Sequence, residues 1–237
     1  MHSNRYTITF ALVICVSCGV LLAVVAETLR PAIEKNEKFD IRRNILKATG
    51  ILEDHPQATP ETMTQLYEKH IREIVINLDG NQVPGKTPSE TDFKKEKELL
   101  PVYLRMDGDT VKAYCFPVSG KGLWSQIEGY LALGNDADHI KGITFYKHGE
   151  TPGLGGEIST EEYTDQFKGK TIFDDSGNMV SITIAKGKIP ESMPEDHKKH
   201  MVDGISGATL TGKGINVFLA EDLKKYEPYL RQIRKQG

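Results

Sequence analysis

A marked excess of charge of either sign is what this chain lacks most plainly. Its 30 Lys and Arg stand against 33 Asp and Glu over 237 residues, a formal net charge of −3. No nucleic-acid surface is expected from that balance, and with 38% hydrophobic and 27% charged residues the composition is that of an ordinary folded protein. Cysteine is scarce: Cys15, Cys18 and Cys115 are the three. Two of them fall in one apolar run, so Cys115 has no obvious partner and no disulfide framework is expected. There is one tryptophan, Trp124, and neither an internal repeat nor a low-complexity tract. No acid–base pair and no hydroxyl beside a catalytic base is evident, so no catalytic residue and no self-contained active site are expected.

What the chain does have begins with "YTITFALVICVSCGVLLAVVA", Tyr6 to Ala26, uncharged and bounded by Arg5 and Glu27. A helix of about 21 residues spans roughly 30 Å, one membrane crossing. Val24 and Ala26 also suit a signal peptidase, but the run exceeds the roughly 7–15 residues of a usual signal core, which favours a retained anchor. Either way the bulk of the chain is expected outside the cytoplasm, although Arg30, Lys35, Lys38, Arg42 and Arg43 after the span outweigh Arg5 before it and taken alone favour the opposite topology. Cys15 and Cys18 share a helix face and read as small membrane residues that pack on a neighbouring helix.

The sequence predicts a polar helix after the span, ending near Gly50, then a short helix opened by Thr59-Pro60-Glu61 as cap, first-turn proline and early acid. "IREIVINLD" reads as a strand, and the polar stretch that follows as a connection. "PVYLRM" and "TVKAYCFPV" form a hairpin across "DGD"; "SQIEGYLALG", "HIKGITFYKH" and "SGNMVSITIA" add strands. "STEEYTDQF" is a short amphipathic helix, and "INVFLAEDLKKY" places Ile215, Phe218, Leu219 and Leu223 on one face of a longer one. Strands in series with helices placed late argue for an α+β fold with a mostly antiparallel sheet and flanking helices. The expected organisation is 1–5 cytoplasmic, 6–26 transmembrane, 27–100 helical stalk and connection, 101–226 a folded domain and 227–237 a tail.

Three glycine-containing loops interrupt the core: "SGKGLWS" (119–125), "ETPGLGG" (150–156) and "SGATLTGKG" (206–214). The first sets Trp124 at a flexible position, where it either folds back into the core or is covered by a flat ligand. The second offers backbone N–H groups unobstructed by side chains, as a nest around an anion or ring oxygen requires. The third leads into a helix starting near Thr209 to Thr211, whose unsatisfied N–H groups and positive dipole end would stabilise a phosphate. A hydroxyl there could be esterified to it; without an adjacent base, an outside enzyme is needed. "EDHKKHMVD" sets His197 and His200 near Asp196 and Asp203 at spacings compatible with a metal, but reads as a solvated, Lys-rich connection, and no metal is expected.

Taken together, "DGISGAT" resembles the Asp-x-x-(Ser/Thr)-Gly-Ala-Thr flavinylation motif, whose last Thr is Thr209 here. "GKGLWS", "ETPGLGGEI", "QFKGK", "VDGISGATLT" and the post-membrane helix "LRPAIEKNEKFDIRRNILKATGIL" resemble segments of the C subunit family of Na+-translocating NADH:quinone oxidoreductases. The related G subunit of the Rnf electron-transport complex shares the flavin loops, but the stalk segment and the Gly-Gly-Glu after Leu154 favour the C subunit family. The resemblance implies an FMN-binding domain, a flavin transferase that joins FMN by its phosphate to Thr209, other subunits of a respiratory complex as partners, and an inner-membrane protein with its domain in the periplasm. It implies that FMN relays single electrons between an iron–sulfur centre and a second covalent FMN in a partner protein of the complex. By the same resemblance Asp203, Ser206, Gly207 and Ala208, followed by Leu210, form the motif the transferase reads, and Leu123, Trp124, Ser125, Thr151, Leu154 and Gly155 border the flavin. Thr211 remains the alternative hydroxyl on chemical grounds. A competing reading, from another class, is an anchored extracytoplasmic binding or scaffold module whose loops hold a phosphate ligand without a covalent bond.

Overall fold

The computed structural model describes residues 4–93 and 95–236. They divide into a first unit, up to Ile41, and a second from Arg42 onward. Helix α1, Asn4–Ala48, runs without interruption through the apolar stretch and the polar segment after it, with Pro31 inside. In the first unit the large apolar side chains of α1, among them Phe10, Leu12, Leu21 and Leu22, are exposed. Among the described residues α1 is the one helix long and apolar enough to cross a membrane.

The second unit opens with the end of α1. Gly50 takes φ +78°, the Ile51 N–H donates to the Leu46 carbonyl and the Gly50 N–H to that of Lys47. This Schellman stop puts Ile51 against Leu46, both buried. Helix α2, Pro60–His70, starts at the Thr59 cap, whose side chain accepts from the Thr62 N–H. Strands β1 (Ile71–Asn77), β2 (Leu99–Asp107), β3 (Thr110–Lys121), β4 (Gln126–Gly134) and β5 (Ile140–Lys147) follow. They make one antiparallel sheet in chain order, so each strand meets its sequence neighbours and none needs a crossover.

A 3-10 turn (Gly155–Ser159) and helices α3 (Glu161–Asp165) and α4 (Glu195–Lys198) come next. Strands β6 (Thr183–Ile184) and β7 (Met201–Val202) pair in parallel, and the chain ends in α5, Thr209–Gln236. Helix α5 lies on one face of the sheet. Ile215, Phe218, Leu219 and Leu223 are buried; Tyr226 meets Phe116 with ring centroids 4.5 Å apart and Tyr229 meets Tyr114 at 6.1 Å. On the other face Gly142 lets the Ala48 backbone approach: an added Cβ would sit 2.7 Å from the Ala48 carbonyl oxygen. Tyr67 of α2 is buried beside β1, its hydroxyl 2.7 Å from Glu73. The fold is α+β.

Three segments differ from the expectation. Strand β1 falls within the connecting region expected before residue 101, yet it is one of the sheet's two edge strands, held by pairing with β2 from Ile71↔Arg105 to Asn77↔Leu99. Residues 227–235 continue α5 rather than form a tail, because Leu230 is fully buried and Tyr229 packs against the core. "SGNMVSITIA" yields only the two residues of β6 as strand. Its first half is used in a local turn, where Asn178 and Asp174 bond each other's backbone, and Ser181 takes φ +59°.

Candidate functional site

Three loops meet where β3 ends, β4 begins and β5 ends. Residues 122–125 turn tightly, with the Gly122 N–H donating to the Ser125 carbonyl at 2.8 Å. They are tied to the loop after β5 by Ser125, whose Oγ accepts from the Gly149 N–H at 2.5 Å. At the centre is Glu150, only 5% exposed. One carboxylate oxygen, Oε1, accepts from the Trp124 N–H at 3.0 Å and the Ser125 N–H at 3.4 Å. The other, Oε2, accepts from the Thr211 hydroxyl at 2.7 Å. Burial alone raises the Glu150 pKa, but hydrogen bonds from Thr211, Trp124, Ser125 and Leu123 outweigh it and hold the carboxyl below its usual value.

Glycine is what permits this junction. A Cβ on Gly122 would lie 2.5 Å from Glu150 Oε1, and one on Gly155 would lie 2.7 Å from Thr211 Oγ1 and 3.0 Å from Glu150 Oε2. Gly207, at φ +75°, leaves room for Leu154, whose Cδ2 would be 2.7 Å from a Cβ there.

Thr209 and Thr211 therefore have different fates. Thr211 is 1% exposed and committed to Glu150. Thr209, the first residue of α5, is half-buried and lines a cavity of about 170 Å³ with Lys186, Ala208, Lys213 and Asn216. Its hydroxyl has no hydrogen-bond partner among the described residues. The first backbone bond of α5 runs from the Gly212 N–H to the Ala208 carbonyl, which leaves the N–H groups of residues 209–211 without helical acceptors and the positive end of the helix beside this hydroxyl. The opposite wall of the cavity is fixed from behind: Asn216 bonds the Ile184 N–H and carbonyl at 2.7 and 3.1 Å, and Asp203 accepts from the Ile189 N–H at 2.7 Å.

The other residues singled out in the sequence divide in the same way. Trp124 is 70% exposed rather than folded into the core, and Leu123, Leu154 and Leu210 are exposed too. Ser206 and Gly207 are exposed, whereas Ala208 is buried. The Thr151 carbonyl accepts from the Leu154 and Gly156 N–H groups and so shapes the second loop. His200 is spent on the Thr171 carbonyl at 2.6 Å and Asp196 on Lys199 at 2.9 Å. Among the described residues no three His, Cys, Asp or Glu converge as a metal site. Larger clefts, of about 200, 380, 440 and 500 Å³, lie elsewhere; in the one of about 440 Å³ Lys47 pairs with Glu161 and Lys168 with Glu53 and Asp165.

Sequence reasoning missed Glu150, Lys186, Lys213 and Asn216. The one signal for Glu150 was an acid set immediately before a glycine-rich loop; the lysines carried none.

The model of the FMN-binding domain family matches residues 122–224, which takes in the second and third loops and the first from Gly122 onward. The C subunit of the Na(+)-translocating NADH-quinone reductase of Yersinia pestis is 31% identical over 97% of this chain and 92% of its own length; that of Pseudomonas aeruginosa is 32% identical over 99% and 97%. The crystal structure of the corresponding protein from Parabacteroides distasonis superposes with a TM-score of 0.72 at 32% identity, covering 85% of this chain and 96% of the other. With relatives this similar over almost their whole length, the chain belongs to the C subunit family of Na(+)-translocating NADH-quinone reductases.

Proposed function

We propose that this protein is the membrane-anchored flavoprotein subunit of a sodium-pumping NADH:quinone oxidoreductase, and that it carries FMN as a phosphoester on Thr209. The observation that supports this most is the division between the two hydroxyls: Thr211 is consumed by Glu150 at 2.7 Å, while Thr209 stands at the mouth of a cavity beside unbonded helix N–H groups. The residues present fit such a group. A phosphate on Thr209 would meet the positive end of α5 and, on the cavity lining, Lys186 and Lys213. A cavity of about 170 Å³ is below the roughly 300–1,000 Å³ that encloses a drug-sized ligand. The ring therefore belongs outside it, against the exposed Leu123, Trp124, Leu154 and Leu210.

When bound, FMN supplies single-electron transfer between redox centres of the complex. The chain's own part is to fix the position, shield one side and set the local field. Ser206, Gly207 and Ala208, with Asp203 behind them, present the loop to a flavin transferase. Gly155 lets the second loop lie close to α5, and Thr151 shapes that loop through its carbonyl. The apolar part of α1 anchors the protein in the bacterial inner membrane, the second unit faces the periplasm, and the partners are the other subunits of the complex.

The full chain, expressed in a host with the flavin transferase, should show in-gel flavin fluorescence after denaturation and a mass increase of one FMN less water. Thr209→Val should remove both and leave membrane insertion unchanged; fluorescence that survives there and vanishes in Thr211→Val would move the attachment site. A host lacking the transferase should give apoprotein with brighter Trp124 emission, and equal emission in apo and holo forms would count against a ring at Trp124.

A further inference from the structure

Glu150 is a buried anion without a cation among its partners. Its neighbours are hydrogen-bond donors only: the Trp124 and Ser125 N–H groups on Oε1 and the Thr211 hydroxyl on Oε2. Its own N–H donates to His148 Nδ1 at 3.3 Å. None of its side-chain oxygens takes part in an ion pair among the described residues. A neutral Gln offers an oxygen and an amide at the same positions and could join the same loops, so the junction's connectivity does not by itself require a charge there.

The three elements it joins are those that would surround the flavin: the loop with Leu123 and Trp124, the loop with Leu154 and Gly155, and the first turn of α5 two residues beyond Thr209. We propose that Glu150 is a positioning residue of the flavin site whose negative charge holds the flavin's reduction potential down. The inference rests on the flavin reading above. Reduction adds negative charge to the flavin ring, and a fixed anion in the adjoining low-dielectric junction opposes it. The hydrogen-bond donors keep the carboxylate ionised and offset only part of its field, whereas a lysine or arginine would cancel it.

Glu150→Gln separates position from charge. The Gln oxygen can still accept from Trp124 and Ser125, and its amide can donate to the Thr211 hydroxyl oxygen. In the full chain from a transferase-containing host, Glu150→Gln should keep the fluorescent label and the Trp124 emission of the wild type. Spectroelectrochemical titration should show its midpoint moved to more positive potential. The expected size is on the order of tenfold in the ratio of oxidised to reduced flavin at a fixed ambient potential. A labelled Glu150→Gln protein with an unmoved or more negative midpoint overturns the inference and leaves the covalent reading standing. A wild type without label overturns both, and a folded Glu150→Gln protein that takes no label overturns the role assigned to the charge.

If Glu150→Gln does not fold, Thr211→Val carries the test. It keeps the charge and strips one donor from it, so the midpoint should move the opposite way, to more negative potential, and a rise or no change overturns the proposal.

Discussion

The two sides of the first turn of α5 are built on opposite terms. On one, Thr211, Glu150, Gly122 and Gly155 leave no free volume, and each carboxylate oxygen of Glu150 has its partner. On the other, Thr209 looks into an open cavity whose lysines, Lys186 and Lys213, are exposed. Two positions apart on a helix means a rotation of about 200°, so residues of the same chemistry point nearly opposite ways. One hydroxyl is made structural and thereby unreactive; the other is left without a partner and thereby accessible. On the reading proposed above, site selection would come from which hydroxyl the fold has already used.

Exchanging the burdens of the two threonines should break that contrast most completely. Thr209→Val should abolish the flavin label outright and change unfolding free energy by no more than about 0.5 kcal/mol, since the hydroxyl has no partner to lose. Thr211→Val should do the reverse, with the label retained and stability lowered by about 1–3 kcal/mol, because Glu150 Oε2 loses its donor while staying buried. In-gel fluorescence and urea unfolding of the two variants decide the matter. Equal destabilisation in both would show that the two sides are not distinct.

A second test acts on the packing rather than the hydrogen bond. Gly155→Ala forces a methyl group to within 2.7 Å of Thr211 Oγ1 and should destabilise by about 1–3 kcal/mol, with weaker labelling as α5 and the second loop part. Gly153→Ala meets nothing within 4 Å but must hold φ +75°, so its effect should be smaller, about 1 kcal/mol. If urea midpoints put Gly153→Ala below Gly155→Ala, the junction is looser than its geometry implies.

Much of this arrangement was legible in the sequence, for local reasons. The helical spacing of Ile215, Phe218, Leu219 and Leu223 gave the buried face of α5, and Thr59-Pro60 gave the start of α2 because capping is decided within one turn. The three glycine loops were visible as breaks in strand patterns. Membership of β1 in the sheet was not, because a strand's own residues do not name its partner. Glu150 was illegible for the same reason: its partners are 26, 25 and 61 positions away in the chain. The difference between Thr209 and Thr211 depended on that hidden partner, so chemistry alone left both open.

On the open side, the lysines should matter less than the threonine they flank. Lys213→Gln and Lys186→Gln each remove an exposed charge from the cavity lining, a change of the size of an exposed ion pair, up to about 1 kcal/mol or roughly fivefold in labelling rate, and smaller still at high salt. Neither should shift thermal unfolding. Transferase kinetics at two salt concentrations measure this, and a salt-independent loss of more than tenfold would mean that the lysines do more than supply field.

The smallest effect expected is that of acid, and it falls on the closed side alone. The Glu150 carboxyl is held below its ordinary pKa in the folded protein, where its hydrogen bonds outweigh the effect of burial. A group depressed in this way binds fewer protons folded than unfolded. Its contribution is therefore complete above the unfolded value, about 4.3, and is lost as pH falls through the lower folded value. Asp136, where hydrogen bonds from His139 and Asp138 likewise outweigh burial, adds to the same limb, so the comparison must be with a variant. In Glu150→Gln the neutral plateau should fall and the acid limb of the stability curve flatten, because the variant lacks the contribution that the wild type loses in acid; an unchanged acid limb would mean that the carboxylate at the junction takes no part in holding the loops to α5.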